Sequence, residues 1–514
     1  MNRRFLIAGL GVVVAILLAV ILRPNGSDDG TRAAEPVANV DTGESAEPGE
    51  SEEELEGEEG EEGRGGSEEA QEEAEVTEQR LEALTEAKAN GEFGQKVAAT
   101  AAPASGWVGS KVLSPTFDDW EPAVATDPKA PYVYLLTTRY AERDCGVHCP
   151  TPWIPLTVSK DGGASWGAQV PICQCDRSKA QYDPTIEVVP NTGAVYSAFL
   201  NWDRHDGFST VFTKSTDHGK TWTDPVHVYG NVSWTDKPEI TMSPSGKDVY
   251  VSWNGPQGGD LYVGISHDFG ETWTQKKLSD DKRYYYAYDA RVLADGSVIF
   301  SESSIVYSGL TNVAGEVWHH AVISRDKGDT WENVVVAKVP LGENCVADGC
   351  GPDFYTGQTS VVEDRAGHLV FAYEGPTTDA GPQRVYVSTS TNGGRSWSAG
   401  TALSIAGENA TQPRLASSGG GDVRIWYMQT AGHDPDAWNV WYRSSANGGA
   451  SWSSPVKISD APAGAAGYVN ENGFGEIYGD YGEIAVTNTG KTIATWGEGF
   501  SYTGPGGTWF NIQR

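Results

Sequence analysis

The apolar positions of this chain fall into three regimes. Phe5 to Leu22 is an uninterrupted apolar run of eighteen residues, preceded by Arg3 and Arg4 and ended by Arg23. That length suits a membrane-crossing helix, and the flanking charge places its N-terminus on the cytoplasmic side. Residues 27–94 hold 24 Asp/Glu against 4 Lys/Arg. Such a stretch buries too little to offset chain entropy and repels itself, so it reads as a disordered stalk, with a transient helix over Glu68 to Asn90. From residue 105 onward, short apolar strands recur between turns rich in Gly, Pro, Asp and Asn, the pattern of an all-β domain.

Two units repeat within that domain. The first is a polar residue, often followed by Pro, then an apolar strand, a Gly-bearing turn and an aromatic-rich strand. Its copies run Glu121-Pro122 to Tyr134, Asp183-Pro184 to Tyr196, Lys237-Pro238 to Tyr250, Asp289-Ala-Arg291 to Phe300, Gln358 to Phe371, Gln412-Pro413 to Trp426 and Tyr481-Gly-Glu483 to Trp496. The second is Ser-x-(Asp/Asn)-x-Gly-x-(Ser/Thr)-Trp. Its six copies end at Trp166, Trp222, Trp273, Trp331, Trp397 and Trp452, spaced 51 to 66 residues apart. A repeat of that length is one supersecondary unit copied around a ring or along a solenoid.

The chemistry of the second unit is that of a turn. Asp161, Asp217, Asp268, Asp326, Asn392 and Asn447 stand where a short side chain accepts backbone N–H bonds and closes a loop. The following Gly supplies a conformation other residues resist, and the Trp packs while its N–H finds a carbonyl. Asn in two copies is as expected of a turn-former and not of an acid catalyst.

The units add up to a β-propeller of four-stranded antiparallel blades, with seven favoured by the first unit and six possible from the boxes. Trp107-Val-Gly-Ser-Lys-Val-Leu-Ser114 matches Trp452-Ser-Ser-Pro-Val-Lys-Ile-Ser459, the strand that follows a box. Residues 107–114 are therefore expected to supply the outer strand of the last blade, closing the ring. The domains read as 1–26, a signal-anchor; 27–104, the acidic stalk; and 105–514, the propeller.

This layout predicts a single-pass membrane protein with a monomeric propeller on the extracytoplasmic side, or a secreted one if the first segment is cleaved. The formal charge of −33 argues against a nucleic-acid ligand. Six cysteines in an exported chain read as disulfides. We expect Cys345–Cys350 as a local bridge and Cys145, Cys149, Cys173 and Cys175 crossing between two loops of blade 1. A zinc cluster of Cys145, His148, Cys149 and Cys173 or Cys175 is the alternative. No cofactor is implied.

Box turns join third to fourth strands, so they share one face. The cysteines and most polar strand ends belong to the other. Candidate acids there are Glu302, Glu374 and Glu498, each beside an aromatic strand end that can raise its pKa, together with Tyr481. Candidate ligand-binding residues are Arg139, Arg291, Arg414, Asp183, Asp289, Trp202 and Tyr288, with Lys237, Glu239 and Glu483 on the same rim. Trp234, Phe354, Tyr355, Phe474 and Tyr478 add aromatic faces nearby. Carboxylates, arginines and aromatic rings together suit a carbohydrate: rings stack on sugars, arginine grips a carboxylate, and paired acids cleave glycosidic bonds.

The six boxes and the blade repeats resemble the sialidase-like (BNR/Asp-box repeat) superfamily over residues 105–514. In its true sialidases, three arginines hold the substrate carboxylate, a Tyr–Glu pair is the nucleophile and an Asp the acid/base. The motif bearing the first of those arginines is replaced here by Trp120-Glu-Pro-Ala-Val-Ala, while Gly479-Asp480-Tyr481-Gly482 is similar to secreted BNR-repeat proteins. The resemblance implies a tethered propeller that binds glycans or another cell-envelope polymer through the face opposite the boxes. The alternative is an exo-sialidase-like glycoside hydrolase using carboxylates and Tyr on that face.

Overall fold

The computed structural model describes residues 81–82, 84–86, 88–90 and 102–514, the last range without 142–150, 173–178, 204–206, 229–234, 256–258, 280–281, 307–314, 343–356, 432–433, 461–466, 470–474, 478–480 and 500–505. The apolar first segment, most of the stalk, all six cysteines, and Trp234, Phe354, Tyr355, Phe474 and Tyr478 lie outside the described residues. Among those described, no helix is long and apolar enough to cross a membrane. The described part of 81–90 is helical. Leu84 there is buried, and the Lys88 ammonium lies 5.6 Å over the Phe117 ring, so this end of the stalk packs on the propeller.

Seven four-stranded antiparallel sheets make the ring. Their inner strands are Asp118–Thr126, Ala180–Val188, Asp236–Met242, Tyr284–Val292, Thr359–Glu363, Ala410–Ser417 and Glu483–Val486, in blades 1 to 7. Blade 7 takes its outer strand, Lys111–Val112, from the start of the domain, pairing with Phe510 and Trp509. A bridge from Trp107 to Gln513 extends the closure. The expected seventh blade and shared strand are both present.

Each seam between neighbouring blades has its own apolar core. Val133, Leu135, Phe510 and Ile512 fill the seam from blade 7 to blade 1, and Tyr250, Phe300 and Val322 the seam from blade 3 to blade 4. The box glycines serve these seams. All six have positive φ. A Cβ on Gly270 would stand 2.2 Å from the Phe212 ring of the preceding blade, and one on Gly163 2.4 Å from Ile512. Glycine is thus required both by backbone conformation and by close approach.

The box turns are built as their residues suggest. Ser165 N and Thr221 N donate to Asp161 and Asp217 Oδ1 at 2.8 and 2.9 Å, and Gly163 N donates to Ser159 Oγ at 2.8 Å. Asn392 and Asn447 do the same work, each also donating Nδ2 to a serine. The tryptophan expectation needs correction. Trp222, Trp273, Trp331 and Trp452 donate Nε1 to the box glycine carbonyl. The Nε1 atoms of Trp166 and Trp397 are buried without a partner among the described residues.

The opposite face carries strain. Proline cannot donate to the ladder, and at Pro122, Pro184, Pro238 and Pro413 the inner strand bulges. The residues before them, Glu121, Asp183, Lys237 and Gln412, have φ of 52°, 49°, 46° and 50°. Left-handed backbone at a non-glycine residue costs on the order of 1–3 kcal/mol and gathers at functional sites. Four blades thereby turn a polar side chain out at the same level of the ring.

Candidate functional site

Those bulges surround a small axial cavity of about 20 Å³, room for about one water. Asp183, Glu239, Tyr288, Arg414, Tyr481 and Glu483 line it, with Pro122, Pro184 and Pro238 between them. Across it, Lys237 Nζ donates to Tyr481 Oη at 3.0 Å, and Tyr481 Oη donates to Asp183 Oδ2 at 3.2 Å. The Lys237 ammonium also sits 4.7 Å from the Tyr481 ring centroid. Three side chains from blades 2, 3 and 7 are thus joined over the axis. Behind them, Glu121 Oε2 accepts Asp183 N at 3.1 Å and the Thr138 hydroxyl at 2.6 Å.

Charge accumulates along the channel wall. Arg291 Nη1 lies 2.6 Å from Asp289 and 3.4 Å from Glu187. Burial opposes the Arg291 charge, but Asp289, Glu187, Glu483 and Glu239 outweigh it and hold the guanidinium protonated. Asp183 is pushed well above the carboxylate range by burial, then by Glu121 and Asp236, with Lys237 opposing. Glu239 is pushed up to about 8, by burial first and then by Asp289. Burial raises Glu187 and Glu483 too. The Glu187 and Arg291 side chains remain 35% and 25% exposed, so water screens that part of the ring.

The candidates named from sequence separate into two groups. Tyr481, Asp183, Arg414 and Tyr288 line the cavity, and Arg291 stands against it through its carboxylate partners. Among the described residues, the three candidate acids have no hydrogen-bond partner in common. Glu374 is a structural acceptor, taking Gln358 N at 3.2 Å and Gln412 N at 2.9 Å. Glu498 accepts Trp496 Nε1 at 2.7 Å beside Asp460 and Lys457, and is pushed up to about 7, mainly by burial. Glu302 is fully buried in the seam of blades 3 and 4 and is also pushed up, by burial and then by Glu239.

The basic candidates are mostly committed. Arg139 is clamped by Asp119 at 2.6 and 2.8 Å, by Ser114 and by Gln169, and lies 4.1 Å from the Phe117 ring. It ties blade 1 to Ser114, just past the closing strand. Arg414 donates to the carbonyls of Gly482 and Thr359 and to Gln358 Oε1. Asp289 Oδ2 accepts Ser360 Oγ and Val361 N, linking blades 4 and 5. Trp202 packs 6.4 Å from Phe208, away from the cavity lining. Sequence reasoning missed Glu187. Its signal was an acid within an inner strand, two residues past Thr185, where regular alternation resumes after the bulge.

Six turns of one construction and a seven-blade ring closed by a shared strand decide the fold. The chain is a seven-bladed β-propeller of four-stranded antiparallel blades. No family model and no curated protein matches it. Among solved structures this propeller is similar to the Hadza microbial sialidase Hz136, at 11% identity over 77% of this chain and 66% of that one, TM-score 0.43. It is similar to the polysaccharide lyase PL25-ulvanlyase, at 12% identity over 79% and 95%, TM-score 0.48. It is also similar to the alpha-L-arabinofuranosidase Arb93A from Fusarium graminearum, at 14% over 69% and 98%, TM-score 0.41. The propeller thus spans just under two thirds of that sialidase. At such identities the likeness concerns fold alone, and chemistry has to be argued from this chain's own mouth.

Proposed function

We propose that this protein is a membrane-tethered, extracytoplasmic propeller that binds glycans or a related envelope polymer at the axial mouth opposite the boxes. The observation that supports this most directly is the Lys237–Tyr481–Asp183 network, which presents fixed donors and acceptors in a frame of prolines and Tyr288. Fixed polar groups in an apolar frame are how hydroxyl-rich ligands are oriented. The cavity takes about one water. A glycan therefore lays an edge or a single hydroxyl on the mouth and does not sink a whole ring into the channel. Arg139 and Arg414 are spent on protein oxygens, which favours neutral sugars over acidic ones.

Binding of the purified full chain to an array of neutral and acidic glycans tests this reading. Neutral glycans should be retained, and Lys237→Met or Tyr481→Phe should lose most of that signal. Retention of nothing, or equal retention by both variants, ends it.

A hydrolytic reading rests on one observation: Glu239, pushed up to about 8, lines the same cavity as Tyr481. A protonated carboxyl there has the form of a general acid. Turnover of an aryl glycoside that Glu239→Gln abolishes supports hydrolysis; unchanged turnover places any activity elsewhere.

A further inference from the structure

The seam between blades 3 and 4 holds oxygen atoms that the axial site does not use. Tyr250 and Phe300 pack together across it in one apolar cluster. Side chains alternate along a strand, so Ser252 and Asn254 share the face of Tyr250, and Glu302 shares the face of Phe300. The two sets therefore meet beyond the apolar cluster, on its mouth side. Ser252 is also the register partner of Glu239, which lines the axial cavity.

Ser252, Asn254 and Glu302 are each 0% exposed. Both oxygens of Glu302, the Ser252 hydroxyl and Asn254 Oδ1 have no hydrogen-bond partner among the described residues. Asn254 commits its amide N–H to Tyr284 Oη at 3.2 Å, which leaves its carbonyl oxygen for the seam. The Ser252 hydroxyl lies near enough to Glu302 to favour its carboxylate, though the pair falls outside strict hydrogen-bond geometry, and burial and then Glu239 push Glu302 up. Buried oxygens in this number are strongly disfavoured unless something pairs with them.

The set has a definite chemical character. It is two carboxylates, one amide carbonyl and one hydroxyl, with no sulfur or imidazole. Hard oxygen donors of this kind suit Ca²⁺, which takes about six to eight of them with tolerant geometry. Mg²⁺ demands a stricter octahedron than side chains from two blades readily supply. We propose that Glu302, Ser252 and Asn254, with Glu239 on the cavity side, form a calcium site in the seam between blades 3 and 4. The cation would enter from the mouth past Glu239, and water would complete its shell. It would pin blade 3 to blade 4 and hold both glutamates charged.

The test is thermal unfolding of the full chain, stripped with a chelator and titrated with calcium chloride. Tm should rise saturably, by about 3 °C when calcium exceeds its dissociation constant ~100-fold, given the size of the domain. Magnesium should do markedly less. Without calcium, burial already holds Glu302 toward its neutral form, so the isosteric Glu302→Gln should fold with a similar Tm and show no calcium response. That variant keeps the acidic stalk, which separates the seam from diffuse binding there. If Glu302→Gln does not fold, Asn254→Ala replaces it and should raise the calcium midpoint at least ~10-fold. A wild-type Tm that ignores calcium, or a response that the variant keeps in full, overturns the proposal. Glycan binding plays no part in this readout, so the two proposals fail separately.

Discussion

The two faces of this ring use the same side chain in opposite ways. On the box face, each aspartate bonds to residues two to four positions along its own turn. Asp161, Asp217, Asp268 and Asp326 are lowered to about 2, first by the Ser or Thr hydroxyl that completes the box. On the mouth face, carboxylates meet partners from other blades and are raised, chiefly by burial. Local partners can be copied with the repeat, so the box face is six times the same. Partners from other blades cannot, so the mouth is different at every blade. Chemistry that repeats builds the scaffold, and chemistry that does not repeat is where a ligand can be told from its neighbours.

The sharpest way to break this contrast is Gly270→Ala. The backbone is left-handed and the new methyl would strike Phe212, so we expect a loss of about 2–4 kcal/mol in denaturant unfolding. A loss under about 0.5 kcal/mol would mean that the boxes do not join the blades. Glu374→Ala comes next. It strands the buried N–H groups of Gln358 and Gln412 and should cost about 2–3 kcal/mol. That would show a mouth-side carboxylate acting as scaffold, and a neutral result would return Glu374 to the candidate acids. Tyr481→Phe should leave Tm within a degree or so but weaken glycan binding about 10-fold, the worth of one or two polar contacts. A large fall in Tm would make the network structural.

The smallest effects lie in pH. The box aspartates, ordinarily at 3.8, contribute fully above that value, and their contribution is lost as pH falls through about 2. The mouth carboxylates bind more protons folded than unfolded. Their effect therefore has the opposite sign: stability declines as pH rises from about 4.5 through about 8 for Glu239. Tm should peak near pH 4–5, and Glu239→Gln should flatten the alkaline side. Equal Tm at pH 5 and pH 8.5 would contradict the second half of the comparison.

Much of the scaffold was legible in the sequence because its determinants are local. The Ser-x-Asp-x-Gly turn needs only eight residues, and the match of Trp107–Ser114 to Trp452–Ser459 was enough to place the closing strand. The site was less legible. Glu374 looks like an acid beside an aromatic strand end, but it faces blade 6, where a bulge leaves Gln412 N–H in need of an acceptor. Arg139 looks like a ligand clamp, but Asp119 and Ser114 consume its donors. The group that occupies Glu374 lies on the next blade, 38 residues away in sequence, whereas Arg139 is occupied by Asp119 on the neighbouring strand of its own blade and by Ser114, 20 and 25 residues away. Tyr481 and Asp183 both line the axial cavity, since each stands at the head of a repeat unit whose inner strand topology alone sends to the axis.

The closing strand has a mechanical consequence. Lys111–Val112 pairs with Phe510 and Trp509, and Arg514 binds the Trp107 carbonyl, so the two ends of the domain share one blade. Tension applied through the preceding residues loads that short pairing before any other part of the ring. Blade 7 is then a fuse: a pull strong enough to peel a two-residue strand opens the circle there, while the other six blades still hold their own four strands.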